Sequence, residues 1–501
     1  MAAALKQGLK HLDVDLAIVG AGSAGMAAYK AAARQTSRLV LIESSGYGTL
    51  CARAGCMPSK LLIEAASRAH AIRQAHRLGI KAVGAQVDGA AVMARLRELR
   101  DDFVDSVVRE AEAWPAAHRL AGRARFIGPC MLQVDEHATV KARSIVLATG
   151  SRPVVPEAWR AALGGQLLTT DTLFELPTLP RSIAVIGGGA IGTEMAQALN
   201  RLGVRVVWLM REEAPGGLKD PALRPLAIPL LSEGITLITR ANVRGMTEVD
   251  GGQARVDFDV GGERGSTVVE RVLVCIGREP VLDGLDLSQG GLTLDKGQLT
   301  GYQDRSTRVG DSCVFLAGDV SGAHPLLHEA VLDGRRAATQ AVAQPGPPSH
   351  LPEAPLEGGR RTPLRIVFCD PQIAALGRSH EDLSKVAHPF VVGVADFTDQ
   401  GRSRIKDMNR GALRVYVCRQ RRVVLGAEMI GPCAEHLAHL LAWAVHQGQT
   451  LDTLLDCPIY HPVVEEAVRT ALGHARAQLA GQATMRPASP LSACADMGIG
   501  L

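Results

Sequence analysis

The sequence predicts an α/β fold made of two Rossmann-like units, followed by an α+β domain towards the C-terminal end. Each unit consists of an apolar strand, a glycine-rich turn, a helix and a second strand, and the two copies begin at Val14 and Ser182. A Pro- and Gly-rich stretch at 341–363 marks the clearest domain boundary, and strand-like and helical runs mix over 364–472. The length of 501 residues exceeds what one core accommodates, so we expect three or four domains.

Composition and charge describe a globular chain and exclude several classes of function. Hydrophobic residues make up 47% of the sequence and charged residues 21%, which is not the balance of a disordered chain. The net charge of +4 is small for this length, so we expect no nucleic-acid and no membrane-surface role. No stretch approaches the ~20 apolar residues that span a bilayer. Residues 1–14 lack the apolar run of a signal peptide.

The ten cysteines are scattered along the chain, and only Cys51 and Cys56 are closely spaced. No double pair at metal-ligand spacing is present, so we predict no metal site. One close pair among scattered cysteines is typical of a reducing compartment in which that pair is catalytic. We therefore expect a cytoplasmic location.

The first glycine-rich turn, GAGSAG at 20–25, predicts a site for the pyrophosphate of a dinucleotide. Gly20 permits the tight turn, Gly22 lets the backbone approach the phosphates, and Gly25 allows close packing of helix on strand. The amides at the N-terminus of the following helix attract negative charge. Glu43 follows Gly20 by 23 residues, where it can accept hydrogen bonds from a ribose. Because strand, turn, helix and acid all agree, we predict nucleotide binding here.

The second turn, GGGAIG, begins at Gly187 and lacks this acid. The position 23 residues after Gly187 is Met210, and Arg211 follows it. An arginine there can bind a 2′-phosphate, which would favour NADP. Alternatively, Arg211 is a solvated charge at a strand end, and Glu212 or Glu213 binds the ribose after a small shift. The sequence leaves the choice between NAD and NADP open.

The cysteine pair lies shortly after the first Rossmann-like unit. Cys51 and Cys56 are five positions apart, so a regular helix would not bring their sulfurs together. A disulfide requires a distorted or unwound turn, which Gly55 and Pro58 favour. A thiol at a helix N-terminus has a stabilised thiolate. Buried, inert cysteines are the commoner outcome, but the position beside a nucleotide-binding turn favours a reactive pair.

Further motifs accompany these features. They are PSK after the second cysteine, ATG, GGGAIGTE, IGREP, LAGD and YHPVVEE. Together these motifs resemble the class I pyridine nucleotide–disulfide oxidoreductases, which include dihydrolipoamide dehydrogenase, glutathione reductase, mercuric reductase and soluble transhydrogenase. The resemblance covers roughly residues 12–475. It implies two Rossmann-like domains that bind FAD and NAD or NADP, and an α+β C-terminal dimerisation domain.

The resemblance also predicts the domain boundaries. The predicted segments are an FAD-binding domain at 1–152, an NAD(P)-binding domain at 153–280, a central part completing the FAD domain at 281–345, a dimerisation domain at 346–475 and a flexible tail at 476–501.

Nucleotide contacts are implied for residues of the matching motifs. Asp319 would bind ribityl or ribose hydroxyls of FAD, and Lys60 would pair with Glu194 near the flavin N5, on the nicotinamide side. The implied cofactor-binding residues are Gly20, Gly22, Ser23, Ala24, Gly25, Glu43, Lys60, Thr149, Gly150, Arg278, Asp319, Gly187, Gly189, Ile191, Gly192, Glu194, Arg211 and Gly277.

The same resemblance implies different roles for the two sulfurs. Cys56 would face the flavin, and Cys51 would exchange with the substrate. His461 would act as the acid and base, oriented by Glu466 and supplied to the site of the partner subunit, which makes a homodimer obligatory. A histidine suits proton transfer near neutral pH, and a neighbouring carboxylate holds its tautomer.

The first hypothesis for the substrate is dihydrolipoamide on a lipoyl-carrier protein, oxidised with reduction of NAD(P)+. CARAGCMPSKLL and the LLHEA segment at 326–330 look most like dihydrolipoamide dehydrogenases. Mercuric reductase is disfavoured because the C-terminal end holds a single cysteine, Cys494, and transhydrogenases characteristically lack the dithiol. Leu50 and Val463 replace the usual threonines, which changes the lining of the site but no reacting group.

Two other hypotheses are open at this point. One is NADPH-dependent reduction of glutathione or another small disulfide, motivated by Arg211, with Arg53 between the cysteines as a candidate contact for a substrate carboxylate. The other is a flavin-bearing structural or redox-sensing component that docks onto a carrier protein without rapid turnover.

Overall fold

The computed structural model describes residues 9–343, 362–386 and 388–481. The chain starts on a nine-stranded sheet, in which β1 pairs in parallel with β2 on one side and β6 on the other. Strands buried on both faces are continuously apolar, as residues 16–19 are. The elements of this part are β1 (Lys10–Val19), α1 (Ser23–Ala32), β2 (Leu39–Glu43), α2 (Leu50–Arg53), α3 (Cys56–Gln74), α4 (Gly89–Glu112), β3 (Arg119–Ala121), β4 (Ala124–Gly128), β5 (Met131–Val134) and β6 (Ala138–Leu147).

The second Rossmann-like unit has a sheet of five parallel strands in the order β11-β10-β9-β15-β8. An antiparallel three-stranded sheet, β12-β13-β14, is inserted before β15, and β7 pairs with β16 where the chain enters and leaves the unit. The elements are β7 (Ser151–Pro153), α5 (Glu157–Leu163), β8 (Leu167–Leu168), α6 (Thr170–Leu173), β9 (Ser182–Ile186), α7 (Ala190–Arg201), β10 (Arg205–Leu209), α8 (Arg224–Leu231), β11 (Thr236–Ile238), β12 (Ala241–Val249), β13 (Gln253–Val260), β14 (Glu263–Val269), β15 (Arg271–Val274) and β16 (Arg278–Pro280).

The chain then returns to the first sheet, where β21 pairs in parallel with β6. Helix α9 packs directly on α1, because a β-carbon on Gly334 would lie only 2.1 Å from the carbonyl oxygen of Ala24. This contact therefore requires glycine at position 334. The elements are β17 (Leu294–Asp295), β18 (Gln298–Leu299), β19 (Tyr302–Gln303), β20 (Arg308–Val309), β21 (Val314–Leu316) and α9 (Leu327–Val342).

The last part of the chain has an antiparallel sheet in the order β22-β23-β26-β25-β24. The apolar faces of α12 and α14 cover it and form a separate hydrophobic core. The elements are β22 (Leu364–Val367), β23 (Gln372–Gly377), α10 (His380–Lys385), β24 (Phe390–Asp396), α11 (Gly401–Ile405), β25 (Ala412–Cys418), β26 (Val424–Gly431), α12 (Ala434–His446), α13 (Leu451–Asp456) and α14 (Glu466–Leu479).

Some expected boundaries differ from those of the structure. Helix α14 runs through Leu479, so the regular structure continues past residue 475, where we expected the tail to begin. Most of that tail, 482–501, and most of the Pro- and Gly-rich stretch lie outside the described residues. No helix in the described part of the chain is long and apolar enough to cross a membrane.

The structure contains a disulfide that the sequence did not predict. Cys130, just before β5, is bonded to Cys313, just before β21, with their Cα atoms 6.1 Å apart. The two cysteines are 183 residues apart in sequence, so their spacing gave no signal. The bond joins two parts of the nine-stranded sheet, one before and one after the second Rossmann-like unit in the sequence.

Under oxidising conditions, we expect the Cys130→Ser variant to be less stable than the wild type. The unfolding free energy of the first domain should fall by about 2–4 kcal/mol, because the bond closes a long loop. The measurement is the melting temperature, together with peptide mapping of the disulfide. Cys457→Ser, which removes a free thiol, is the control. Equal melting temperatures and an unbonded Cys313 in the wild type would contradict this prediction.

Candidate active site and nucleotide cleft

One continuous cleft of about 1020 Å³ contains both glycine-rich turns and the cysteine pair. Most of the residues predicted from sequence line it. They are Gly22, Ser23, Ala24, Cys51, Cys56, Lys60, Gly150, Asp319, Gly187, Gly189, Ile191, Glu194, Arg211, Gly277 and Arg278. Five of the predicted nucleotide-binding residues do not line the cleft, namely Gly20, Gly25, Glu43, Thr149 and Gly192.

The first turn has no room for side chains at its two supporting glycines. Gly20 has φ of +103°, and a β-carbon on it would lie 2.4 Å from the carbonyl oxygen of Ala148. A β-carbon on Gly25 would lie 1.8 Å from the carbonyl oxygen of Gly20. The amide of Ala21 donates to Glu43 at 2.6 Å, which holds this carboxylate against the turn. The backbone of the turn is thus open to the cleft at the start of α1, as pyrophosphate binding requires.

Asp319 belongs to a short hydrogen-bonded chain at the same cleft. The Ser151 hydroxyl donates to Asp319 at 2.6 Å, and Arg278 Nε donates to the Ser151 hydroxyl at 2.8 Å. The hydroxyl of Thr149 donates to the carbonyl oxygen of Val281 at 2.6 Å, so it supports the backbone. Ser151 was not predicted, and its role becomes visible only once β7 and β16 are paired.

The second turn repeats the geometry of the first. Gly187 has φ of +119°, and a β-carbon on it would lie 2.3 Å from the carbonyl oxygen of Cys275. A β-carbon on Gly192 would lie 2.1 Å from the carbonyl oxygen of Gly187. Gly189 is the residue before α7, and Ile191 in the first turn of α7 is exposed to the cleft. The two turns therefore offer similar sites for a phosphate group.

An acidic side chain does lie against the second turn, two residues beyond the expected position. Met210 is buried, whereas a β-carbon on Gly188 would lie 2.9 Å from Oε2 of Glu212. Glu213 instead pairs with Arg240 at 2.7 Å. Glu212 thus lies beside the second residue of its turn, at the place where Glu43 accepts an amide hydrogen bond in the first turn. Arg211 is exposed and lines the cleft beside it.

The cysteine pair lies on the two sides of a helix break. The Thr49 hydroxyl accepts the amide of Ala52 at 3.2 Å and caps α2, the short helix that contains Cys51. The helix ends before Gly55, which has φ of −117° and ψ of −117°, and Cys56 begins α3. The break at Gly55 is the interruption of the helix that we expected from the sequence, and it brings the two sulfurs within hydrogen-bonding reach.

The pKa values of the two thiols are shifted in opposite directions. The hydrogen bond from the Cys51 thiol lowers the pKa of Cys56 to about 7, against the effect of burial and with help from the positive charge of Lys60. The same hydrogen bond, together with burial, raises the pKa of Cys51. Cys56 is therefore the thiolate of the pair near neutral pH, and Cys51 carries the proton.

An ion pair between Lys60 and Glu194 lines the same cleft as the cysteines. Lys60, one turn after Cys56 on α3, donates to the two carboxylate oxygens of Glu194 on α7 at 2.8 and 3.0 Å. The amide of Phe368 donates to the same carboxylate at 2.9 Å, and Lys60 lies 4.5 Å from the centroid of the Phe368 ring. No sequence pattern predicted a role for Phe368, which follows β22 in the last part of the chain.

The predicted acid–base pair is formed, but it lies away from the cleft of its own chain. His461 Nδ1 is 2.8 Å from Glu466, whose other oxygen accepts the amide of Val463 at 3.1 Å. The His461 side chain is 60% exposed. The structure therefore brings together Cys51 with Cys56 and His461 with Glu466, but it does not bring the two pairs together within one chain.

Comparisons with known proteins agree with this site. The family described as pyridine nucleotide-disulphide oxidoreductase matches residues 14–341, and its dimerisation domain matches residues 364–472. The chain belongs to this family, so it is a flavoprotein disulfide oxidoreductase that binds FAD and NAD or NADP. The backbone cradles of both turns fit such nucleotides. The dimerisation domain supports a homodimer.

Curated relatives cover nearly the whole chain. A dihydrolipoyl dehydrogenase of Haloferax volcanii is 30% identical, over 93% of this chain and 96% of its own. A dihydrolipoyl dehydrogenase of Halobacterium salinarum is 29% identical, over 92% of this chain and 96% of its own. The enzyme is therefore of the dihydrolipoyl dehydrogenase type. A solved Cu(II) complex of RclA, an HOCl-induced flavoprotein disulfide reductase of Escherichia coli, shares the fold, with a TM-score of 0.77 and 21% identity over 92% of this chain and 99% of its own.

We expect the rate of alkylation of Cys56 by iodoacetamide in the reduced enzyme to rise with pH, with a midpoint near the pKa of about 7. The reason is that only the thiolate reacts. Cys51→Ala removes the donated hydrogen bond and should move the midpoint to higher pH, whereas Cys51→Ser keeps a donor and should move it less. Mass spectrometry of the alkylated peptide measures the rate. An unchanged midpoint in Cys51→Ala would contradict the assignment.

Proposed function

We propose that the enzyme oxidises the dihydrolipoamide group of a lipoyl-carrier protein and reduces NAD+. The observation that carries the proposal is the dithiol, which lines the same cleft as both nucleotide turns and has one thiol with a pKa of about 7. The printed names of the relatives support this choice of substrate. A dihydrolipoamide dithiol reduces an enzyme disulfide by thiol–disulfide exchange.

Cys51 is proposed to meet the substrate. A dihydrolipoamide thiolate attacks the Cys51 sulfur of the oxidised pair, a mixed disulfide forms, and Cys56 leaves as a thiolate. The low pKa of Cys56 makes it a good leaving group. The second lipoyl thiol loses its proton and attacks the lipoyl sulfur of the mixed disulfide, which releases lipoamide and frees Cys51 as a thiolate. The proton that the lipoyl thiol lost then converts this thiolate to the thiol. The substrate thereby loses two electrons, and the cysteine pair gains them.

The proton of the second lipoyl thiol needs an acceptor near neutral pH. We propose that His461 of the partner subunit takes it, because this side chain is exposed and away from the cleft of its own chain. Glu466 accepts a hydrogen bond from Nδ1–H of His461, which leaves Nε2 free for the substrate. This arrangement makes each site depend on both subunits.

The cofactors would supply the remaining redox chemistry: bound FAD would be the acceptor for the electron pair of the dithiol, and NAD+ would be the final hydride acceptor. The residues proposed to hold FAD are those of the first turn with Glu43, Thr149, Gly150, Ser151 and Asp319. The Lys60–Glu194 pair is proposed to lie beside the flavin on the nicotinamide side and to keep a positive charge near Cys56, in line with the effect of Lys60 on its pKa.

Reduction of glutathione is disfavoured by the position of Arg53. Its guanidinium donates to the carbonyl oxygens of Tyr47 and Gly46. A β-carbon on Gly48 would lie 2.7 Å from Arg53 Nε. This arginine therefore supports the backbone turn before α2, and it is not available for a substrate carboxylate.

We place the enzyme in the cytoplasm as a proposal, supported by seven free thiols among the described residues.

The proposed function predicts rapid oxidation of dihydrolipoamide with NAD+ by the wild-type enzyme. Cys51→Ser should abolish turnover, because it removes the sulfur that exchanges with the substrate. His461→Gln should slow it by about 10²–10⁴-fold, because it removes the acid–base group. The measurement is the rate of NADH formation. An inert dihydrolipoamide, with oxidised glutathione reduced rapidly, would overturn the choice of substrate.

A mixed dimer provides the control for the shared site. When Cys51→Ser and His461→Gln subunits are combined, one of the two sites holds both intact groups, and we expect about half of the wild-type activity to return. Each homodimer alone should stay inactive or slow. A mixed dimer no more active than the homodimers would contradict the role of His461 across subunits.

We further propose that NAD is the coenzyme. Glu212 lies against the second turn, where it accepts hydrogen bonds from a ribose and repels a 2′-phosphate. The exposed Arg211 beside it is then a solvated charge.

We therefore expect Glu212→Gln to raise the KM for NADH by about tenfold, because a charge-assisted hydrogen bond is lost. The ratio of kcat/KM for NADH to kcat/KM for NADPH should fall for the same reason. Steady-state kinetics with both coenzymes measure this. Glu213→Gln, whose carboxylate pairs with Arg240, is the matched control. A wild-type preference for NADPH that disappears in Arg211→Gln would reverse the assignment.

A further inference from the structure

A backbone segment at 214–220 connects the second nucleotide turn to the sheet of the dimerisation domain. The amide of Gly216 donates to the carbonyl oxygen of Gly188 at 2.9 Å and to the hydroxyl of Thr193 at 3.0 Å. The Thr193 hydroxyl in turn donates to the carbonyl oxygen of Gly189 at 2.9 Å. One amide of the segment thus supports the turn and the start of α7 together.

The segment packs on the dimerisation domain through its backbone. Gly216 and Gly217 have φ of +76° and +67°. A β-carbon on Gly216 would lie 2.2 Å from Ile373 on β23, and one on Gly217 would lie 2.5 Å from the guanidinium of Arg365 on β22. Arg365 also donates to the carbonyl oxygen of Gly217 at 2.6 Å. The contact is therefore so close that no side chain fits between the two domains.

A buried carboxylate of the segment attaches it to β25. Asp220 is fully buried and accepts hydrogen bonds from Arg414 Nε at 2.6 Å and from the Tyr416 hydroxyl at 2.9 Å. The amide of Ala222 also donates to it at 2.8 Å. A buried charge with several charge-assisted partners is held in one place.

A second buried carboxylate, from the dimerisation domain, holds the segment from the other side. Glu428 on β26 is 1% exposed, and one of its oxygens accepts the amides of Lys219 at 2.7 Å and Asp220 at 3.1 Å. Its other oxygen accepts the amide of His380 at 3.2 Å and lies 3.2 Å from the Tyr416 hydroxyl. Arg414 and Glu428 face each other in the β25–β26 pair, so the sheet register itself places both groups.

We propose that Asp220 and Glu428 are positioning residues for the pyridine nucleotide. They hold the 214–220 segment, and the Gly216 amide of that segment holds the pyrophosphate turn at Gly188. The sheet that builds the dimerisation domain therefore also sets the affinity of the second nucleotide site. Loss of either carboxylate releases the segment and moves the turn amides away from the phosphates, and small displacements of this kind weaken binding strongly.

The test measures binding and does not use turnover, so it is independent of the disulfide substrate. Calorimetric titration of the oxidised, FAD-loaded enzyme with NAD+ should show a Kd about tenfold higher in Glu428→Gln and Asp220→Asn than in the wild type. Glu381→Gln is the matched control, because it removes a charge from the same region, but its half-buried carboxylate pairs with the side chains of Lys219 and Lys385, whereas Glu428 binds the backbone amides of the segment. Its Kd should be that of the wild type.

FAD content and melting temperature separate positioning from general damage. The proposal requires the FAD content of the variants to equal that of the wild type while the Kd for NAD+ rises. Tyr416→Phe, which removes one hydroxyl from between the two carboxylates and keeps the ring, serves if the other variants do not fold, and it should raise the Kd by a smaller factor. An unchanged Kd in folded variants, or a parallel loss of FAD and NAD+ binding, would overturn the proposal.

Discussion

The ion pair between Lys60 and Glu194 is the contact on which the arrangement of the site depends. Lys60 lies on the helix that starts at Cys56, and Glu194 lies on the helix that follows the second nucleotide turn. Glu194 is only 7% exposed, so its charge requires partners. Lys60 supplies the opposite charge, and the amide of Phe368 from the dimerisation domain supplies a further hydrogen bond. Three parts of the chain therefore meet at one buried carboxylate.

The reactivity of the cysteine pair follows from a local feature beside this contact. The helix break at Gly55 places the two thiols close enough for one to donate to the other, and Lys60 adds a positive charge nearby. Burial opposes thiolate formation at both sulfurs, so the hydrogen bond and the charge decide which sulfur ionises. The difference in acidity between Cys51 and Cys56 is thus produced by geometry, since both are the same residue type in the same short segment.

The dimerisation domain contributes more to the nucleotide cleft than its position at the end of the chain suggests. Phe368 reaches the Lys60–Glu194 pair from the end of β22, and Glu428 reaches the 214–220 segment from β26. Both contacts are made by the sheet, which is covered on one side by α12 and α14. The sheet thus reaches the Lys60–Glu194 pair at one point and the segment that supports the second glycine-rich turn at another.

The sequence by itself determined the features that depend on local pattern. Two Rossmann-like units, the glycine positions that need an open backbone, and the cysteine pair could be predicted because each is encoded within a short window of residues. The His461–Glu466 pair was predicted from a motif of the family and is formed in the structure. Its assignment to a catalytic role is still a prediction.

Only the tertiary structure decided the features that join distant parts of the chain. The Cys130–Cys313 bond, the contact of Phe368 with Glu194 and the Asp220–Glu428 network each connect residues more than 170 positions apart, so no spacing in the sequence predicts them. For the acid of the second turn, the sequence left Glu212 and Glu213 as alternatives, and only the structure decided between them, for a related reason. Met210 takes the buried position at the end of β10, and Glu212 reaches the turn from two residues further on, which depends on the path of the backbone after the strand.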